Sequence, residues 1–196
     1  MRFNLDEHPQ LSRPYRVLPW GGIGNLRATA VVNKEGACEV YRKIGERLVE
    51  TCLVEDGIGI AAPQVGMFKC VFLIREFGQG EGGEITTLPS FKLYLNPKWV
   101  GVAEGGKSID DEYCLSVPGP GIPISRFKVI EATWDEFDDE GQLVPTARVF
   151  EGREARILQH EHDHLVGVSI PQRYEMQNSV VNRPKKKKKN KKRRKK

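Results

Sequence analysis

Histidine is scarce here: 196 residues hold four, His8, His160, His162 and His164. No apolar run approaches the roughly 18–20 residues that a membrane span needs, so no membrane role is expected. The first twenty residues contain no continuous apolar stretch, which argues against a secretory signal, and Asp6 and Glu7 argue against a mitochondrial transit peptide. The four cysteines, Cys38, Cys52, Cys70 and Cys114, include no C-x-x-C pair. A disulfide framework is therefore not expected, and a reducing compartment is the simplest setting. Cys38, Cys52 and Cys70 have apolar neighbours and read as core residues.

What is present is unevenly spread. The chain carries 31 basic and 26 acidic residues, but 11 of the basic ones fall in KKKKKNKKRRKK, residues 185–196. Without that tail the balance is 20 basic against 26 acidic, a net charge of −6. The pI near 9.0 thus belongs to the tail and says little about the body. The body has the length and apolar content of one domain with one core. The expected organisation is a catalytic domain over residues 1–178 and a disordered polybasic tail over 179–196.

Residues 37–55 read as an amphipathic helix, with Val40, Ile44, Leu48 and Cys52 every fourth position and a stop near Asp56-Gly57. GIGIAAPQVG follows as a small-residue loop or short strand. KCVFLIR (69–75) and LYLNPKWV (93–100) read as strands, with a Gly-rich loop over 78–90 between them. Residues 101–113 look irregular. FKVIEATWDEF (127–137), a DDEG turn and QLVPTARVF form a hairpin. REARILQHEHDHLV (153–166) reads as a helix ended by Gly167. Together these elements predict an α+β fold of antiparallel β-sheets packed around a late central helix, with an earlier amphipathic helix.

The strongest chemical signal is His160-Glu161-His162-Asp163-His164. At ~100° per helical residue, His160 and His164 share one face, one turn apart, and can hold one metal ion. A glutamate beside the first histidine can act as general base on water at that ion. His162 points roughly 200° away from His160 and is read as exposed or in an outer layer. A zinc protease would also fit this segment alone. Two histidines need at least one more protein ligand, and Cys114 is the leading candidate. It lies in EYCLSVPG, at a strand or loop edge. Two His and one Cys leave a position open for water, the catalytic pattern.

Three segments in order resemble the signature motifs of the peptide deformylase family. GIGIAAPQ (57–64) is similar to G-x-G-x-A-A-x-Q, EYCLS (112–116) to E-G-C-L-S with one change, and QHEHDH (159–164) to Q-H-E-x-D-H. The likeness runs from about residue 35 to residue 174. It implies an enzyme that removes the N-formyl group from the formylmethionine of newly made proteins. It implies Cys114, His160 and His164 as ligands of one divalent metal: Fe2+ in the cell, with Zn2+, Ni2+ or Co2+ as substitutes. It implies Glu161 as general acid and base, and Gln64 with the Leu115 backbone N–H as holders of the oxyanion. Gly57, Ile58 and Gly59 would lie beside an extended peptide, where a missing Cβ permits close approach. Asp163 would orient its neighbours.

Tyr113 stands where the family has glycine and is expected beside the substrate. The lysine tail is the second departure; it could dock ribosomal RNA through its phosphates. Bacterial-type cytosol is the expected compartment, with mitochondrion or plastid as alternatives, and a monomer the expected state. The rival reading is a catalytically weakened relative that holds ribosome or RNA through the tail.

Overall fold

The computed structural model describes residues 1–4, 14–23, 27–32, 34–79 and 85–181. Of the tail expected over 179–196, residues 179–181 are helical and residues 182–196 lie outside the described residues. Sheet pairing dominates the architecture. Strands β1 (Arg2–Asn4), β2 (Gly59–Ala61), β3 (Val71–Gln79), β4 (Ile85–Gly101), β7 (Val129–Phe137) and β8 (Leu143–Glu151) form one antiparallel sheet. Its order is β2-β3-β4-β7-β8, with β1 also pairing β4. Strands β5 (Lys107–Cys114) and β6 (Val117–Phe127) form a separate two-stranded sheet. Helices α1 (Trp20–Ile23), α2 (Ala37–Val54), α3 (Gly152–Leu165) and α4 (Ile170–Val181) complete the set.

The main sheet is covered on both faces. In β3, Val71, Phe72, Leu73 and Ile74 are all buried, and alternate side chains serve opposite cores. Val71 and Leu73 join Leu48, Val49 and Cys52 of α2; Phe72 and Ile74 join Ala155, Ile157 and Leu158 of α3. Each such side chain contributes ~1.5–3 kcal/mol on leaving water. The α+β fold around a central helix is thus observed, with α3 touching β2, β3 and β6.

Local details depart from the sequence reading. In α2 the buried stripe is Ala37, Tyr41, Gly45, Leu48, Val49 and Cys52, while Val40 is 52% exposed. Gly45 sets that rotation: a Cβ there would lie 2.3 Å from Cζ of Phe3, so the helix presents its glycine to the ring. Helix α2 ends earlier than expected, and Asp56, not Gly57, takes the left-handed conformation (φ 51). The loop expected over 78–90 is shorter, because β3 runs to Gln79 and β4 starts at Ile85. The irregular segment expected over 101–113 contains β5, a strand whose side chains are mostly exposed and so lack apolar alternation. Of the cysteines read as core, Cys52 is buried, whereas Cys38 and Cys70 are only half-buried. Asn96 takes a left-handed conformation at the β4 bulge, where its side chain pairs with both backbone groups of Val31 and donates to Asp135. Among the described residues no helix is long and apolar enough to cross a membrane.

Candidate metal centre

Three elements meet at one point. The 3-10 turn Ala62–Val65 brings in Gln64, the end of β5 brings in Cys114, and α3 brings in His160, Glu161 and His164. Nε2 of His164 lies 3.2 Å from Nε2 of His160 and 3.4 Å from Sγ of Cys114. The three ligand atoms all lie within 4.8 Å of one another. A tetrahedral ion with M–N of about 2.05 Å and M–S of about 2.3 Å sets N···N near ~3.3 Å and N···S near ~3.6 Å. The two distances to His164 thus suit a donor set for one small divalent cation.

The electrostatics agree. Burial alone would lower the pKa of His160, but the Cys114 sulfur and Glu112 carboxylate outweigh it and raise it to about 10. The space between thiol and imidazole therefore attracts positive charge. Burial, and then the neighbouring His160, hold His164 well below the usual histidine range, which leaves a neutral ring with a lone pair to give. Trp20 lies over that ring at a centroid distance of 4.9 Å, its indole N–H donating to Gln172.

Glu161 is buried, and Oε2 has no hydrogen-bond partner among the described residues. Desolvation raises its pKa to about 7. A buried carboxylate oxygen without a partner, beside three convergent ligands, is placed to exchange a proton with a reactant. Gly59 makes room for it: a Cβ there would stand 2.6 Å from Oε1. Gln64 is held by its own carbonyl, which accepts from the Ala61 N–H at 2.8 Å. Its amide then donates toward Ser116 Oγ at 3.2 Å and Cys114 Sγ at 3.7 Å.

A buried ionic network underlies the ligands. Glu112 accepts from Nε and Nη2 of Arg126 at 2.9 and 2.8 Å, and from Nη1 of Arg156 at 2.8 Å. Its Oε2 also meets Nδ1 of His160 at 2.9 Å, which turns the other ring nitrogen toward the metal position. Burial would raise the pKa of Glu112; hydrogen bonds from Arg126 and His160 overcome this and bring it down to about 2. Asp163 accepts from Arg126 at 2.6 Å and also pairs with Arg173 of α4.

The model of the polypeptide deformylase family matches residues 25–180. The chain belongs to the polypeptide deformylase family. Peptide deformylase 1 of Clostridium perfringens is 33% identical over 160 residues, 74% of this chain and 94% of that protein. The crystal structure of peptide deformylase from Thermotoga maritima superposes with a TM-score of 0.64 at 31% identity, over 83% of this chain and 98% of that one. A Met-Ala-Ser-bound class I type b peptide deformylase from Acinetobacter baumannii gives 0.66 at 28%, over 83% and 99%.

A cleft of about 530 Å³ opens above the ligands of this deformylase fold. Gly57, Ile58, Gly59, Gln64, Tyr113, Cys114, Leu115, His160 and Glu161 all line it, so the residues singled out from the sequence gather in one place; His164 closes the ligand set beneath. His162 does not join them. It is not exposed but half-buried, with its ring edge against Trp99, 6.1 Å between centroids. Sequence reasoning missed Glu112, Arg126 and Arg156. Glu112 stood inside the EYCLS segment, yet its partners are 14, 44 and 48 residues away. Helix α4 was missed as well.

Proposed function

We propose that this chain removes the N-formyl group from the N-terminal formylmethionine of newly made proteins. One divalent ion would be held by Cys114, His160 and His164: ferrous iron in the cell, with zinc, nickel or cobalt as replacements. The observation that carries this reading is the convergence of those three donors beside the partnerless oxygen of Glu161. The Met-Ala-Ser bound to the Acinetobacter baumannii relative supports a peptide beginning with methionine as the cleft's occupant.

A cation bound there supplies Lewis acidity, polarising the formyl carbonyl and easing ionisation of water. The protein's own groups do the rest. Glu161, with a pKa of about 7, accepts a proton from the attacking water and passes it to the leaving amine, so formate and a free N-terminus result. The Gln64 amide and the Leu115 backbone N–H serve as donors to the oxygen that gains charge, each typically worth ~10²–10³ in rate. Gly57, Ile58 and Gly59 offer main-chain groups to an extended peptide. Asp163 and Glu112 position the helix and the first histidine.

The same reading places the chain in a bacterial-type cytosol, as a monomeric catalytic domain over residues 1–178. RNA docking by residues 185–196 is a separate proposal, tested by ribosome pelleting of the full chain and residues 1–184 across a salt series. Equal co-sedimentation would refute it. A weakened relative finds no support in a site whose ligands, carboxylate and amide are all assembled. Turnover of formyl-Met-Ala-Ser by protein loaded anaerobically with iron or nickel tests the main reading. Glu161→Gln should keep the metal and lose turnover; equal activity of that variant would refute the assigned role.

A further inference from the structure

Tyr113 directly precedes the ligand Cys114 and is 71% exposed at the mouth of the cleft. An aromatic side chain that open would ordinarily be free to swing. Here its position is set by Gly121 of β6. A Cβ at Gly121 would lie 2.9 Å from Cζ of Tyr113, 3.1 Å from its Oη and 2.9 Å from Cβ of Asp111. Gly121 is not in the left-handed region, so its backbone does not demand glycine. The Tyr113 ring and Asp111 do: the missing side chain is their seat. Between Glu112↔Ile122 and Cys114↔Val117 the β5–β6 register shifts, and Pro118-Gly119-Pro120-Gly121 bulges opposite the single residue Tyr113.

Asp111 is two residues away on the same strand, hence on the same face, and is exposed in the same cleft. Neither side chain has a hydrogen-bond or ion-pair partner among the described residues. Asp56 adds a third exposed group, again acidic, to the cleft lining. Two cationic residues, Arg153 and Arg156, line the same cleft. Arg156 is engaged by Glu112, Asp110 and Ser108, and Arg153 lies over the Phe77 ring at the β3 side. The hairpin rim therefore offers an aromatic face and a carboxylate side by side, both uncommitted.

We propose that Tyr113 and Asp111 determine substrate specificity, favouring formylated peptides with a lysine or arginine shortly after the methionine. This rests on the deformylase reading of the site. A cation over an aromatic ring is stabilised by the ring quadrupole, and the adjacent carboxylate adds Coulomb attraction. Tyr113 is one residue, about 3.8 Å of chain, from a metal ligand, and an extended peptide advances about 3.3–3.6 Å per residue. The second and third residues of the substrate are thus the ones that come alongside the ring.

The test measures kcat/KM of the metal-loaded full chain on formyl-Met-X-Ser and formyl-Met-Ala-X peptides, with X as Ala, Arg or Glu. At one of the two positions Arg should exceed Glu by roughly tenfold, from one exposed cation–π contact plus one exposed ion pair. Salt should shrink the ratio. Tyr113→Phe should retain most of the preference, Asp111→Asn should reduce it, and Tyr113→Gly should bring it near unity. Turnover of the Ala peptides with an Arg/Glu ratio near one, or a preference for Glu, overturns this inference and leaves the deformylase reading intact. No turnover of any formyl peptide overturns both.

Discussion

Gly59→Ala puts the account of the catalytic carboxylate under direct stress. The new Cβ would stand 2.6 Å from Oε1 of Glu161, 3.1 Å from its Cδ and 3.2 Å from its Cγ. An ordinary carbon–oxygen contact is longer by more than half an ångström, and Gly59 has no positive φ, so the strain is purely steric. Glu161 is buried on α3 between two ligand histidines and cannot swing into solvent. Its carboxylate must therefore shift by a sizeable fraction of an ångström, and a misplacement of about 1 Å costs on the order of 10²-fold in rate. The expected result is a ~10²-fold fall in kcat on formyl-Met-Ala-Ser. Metal content should stay at one per chain, because no ligand atom is touched, and overpacking should cost ~1–3 kcal/mol of stability. Crowding of the peptide alone would instead raise KM and leave kcat unchanged. A Gly59→Ala variant with full metal and more than half the original kcat would refute the reasoning.

Glu112→Gln leaves buried Arg126, half-buried Arg156 and His160 without their shared charge. It should weaken metal binding ~10–100-fold and cost ~3–5 kcal/mol in denaturant unfolding; unchanged metal affinity would contradict the positioning role. Glu136 has a pKa below the usual carboxylate range, because hydrogen bonds from Lys92 and Trp134 outweigh partial burial. A depressed folded pKa stabilises above the unfolded value and is lost as pH falls through the folded one. Glu136→Gln should therefore lower Tm at neutral pH, with the gap closing in acid; a gap independent of pH would contradict this. On α2, Val40→Lys should change stability by less than about 0.5 kcal/mol, whereas Gly45→Ala should cost ~1–3 kcal/mol by striking the Phe3 ring. The reverse order would mean that the helix is rotated.

These contrasts show which links were legible in the sequence. The i, i+4 histidines are a local pattern, and one helical turn suffices to place them together. Cys114 is fifty residues from His164, yet its motif carried it to the same site. The role of Glu112 had no local signature, because three partners come to it from β6 and α3. The face of α2 was misread because valine at position 40 outweighs glycine at position 45 in any hydrophobic pattern. What buries the helix on the Gly45 side is the approach of Phe3 from a distant strand. Strand β5 escaped for a related reason: Glu112 is its one buried residue, and it is charged.

The central claim, that one thiolate and two imidazoles hold a single ion, is tested most directly by cobalt substitution. The absorption spectrum of the full chain with one equivalent of Co2+ under anaerobic conditions should show a thiolate-to-cobalt charge-transfer band that saturates at one metal per chain. Cys114→Ser should abolish that band. A spectrum without it, or one in which it survives in Cys114→Ser, would contradict the account.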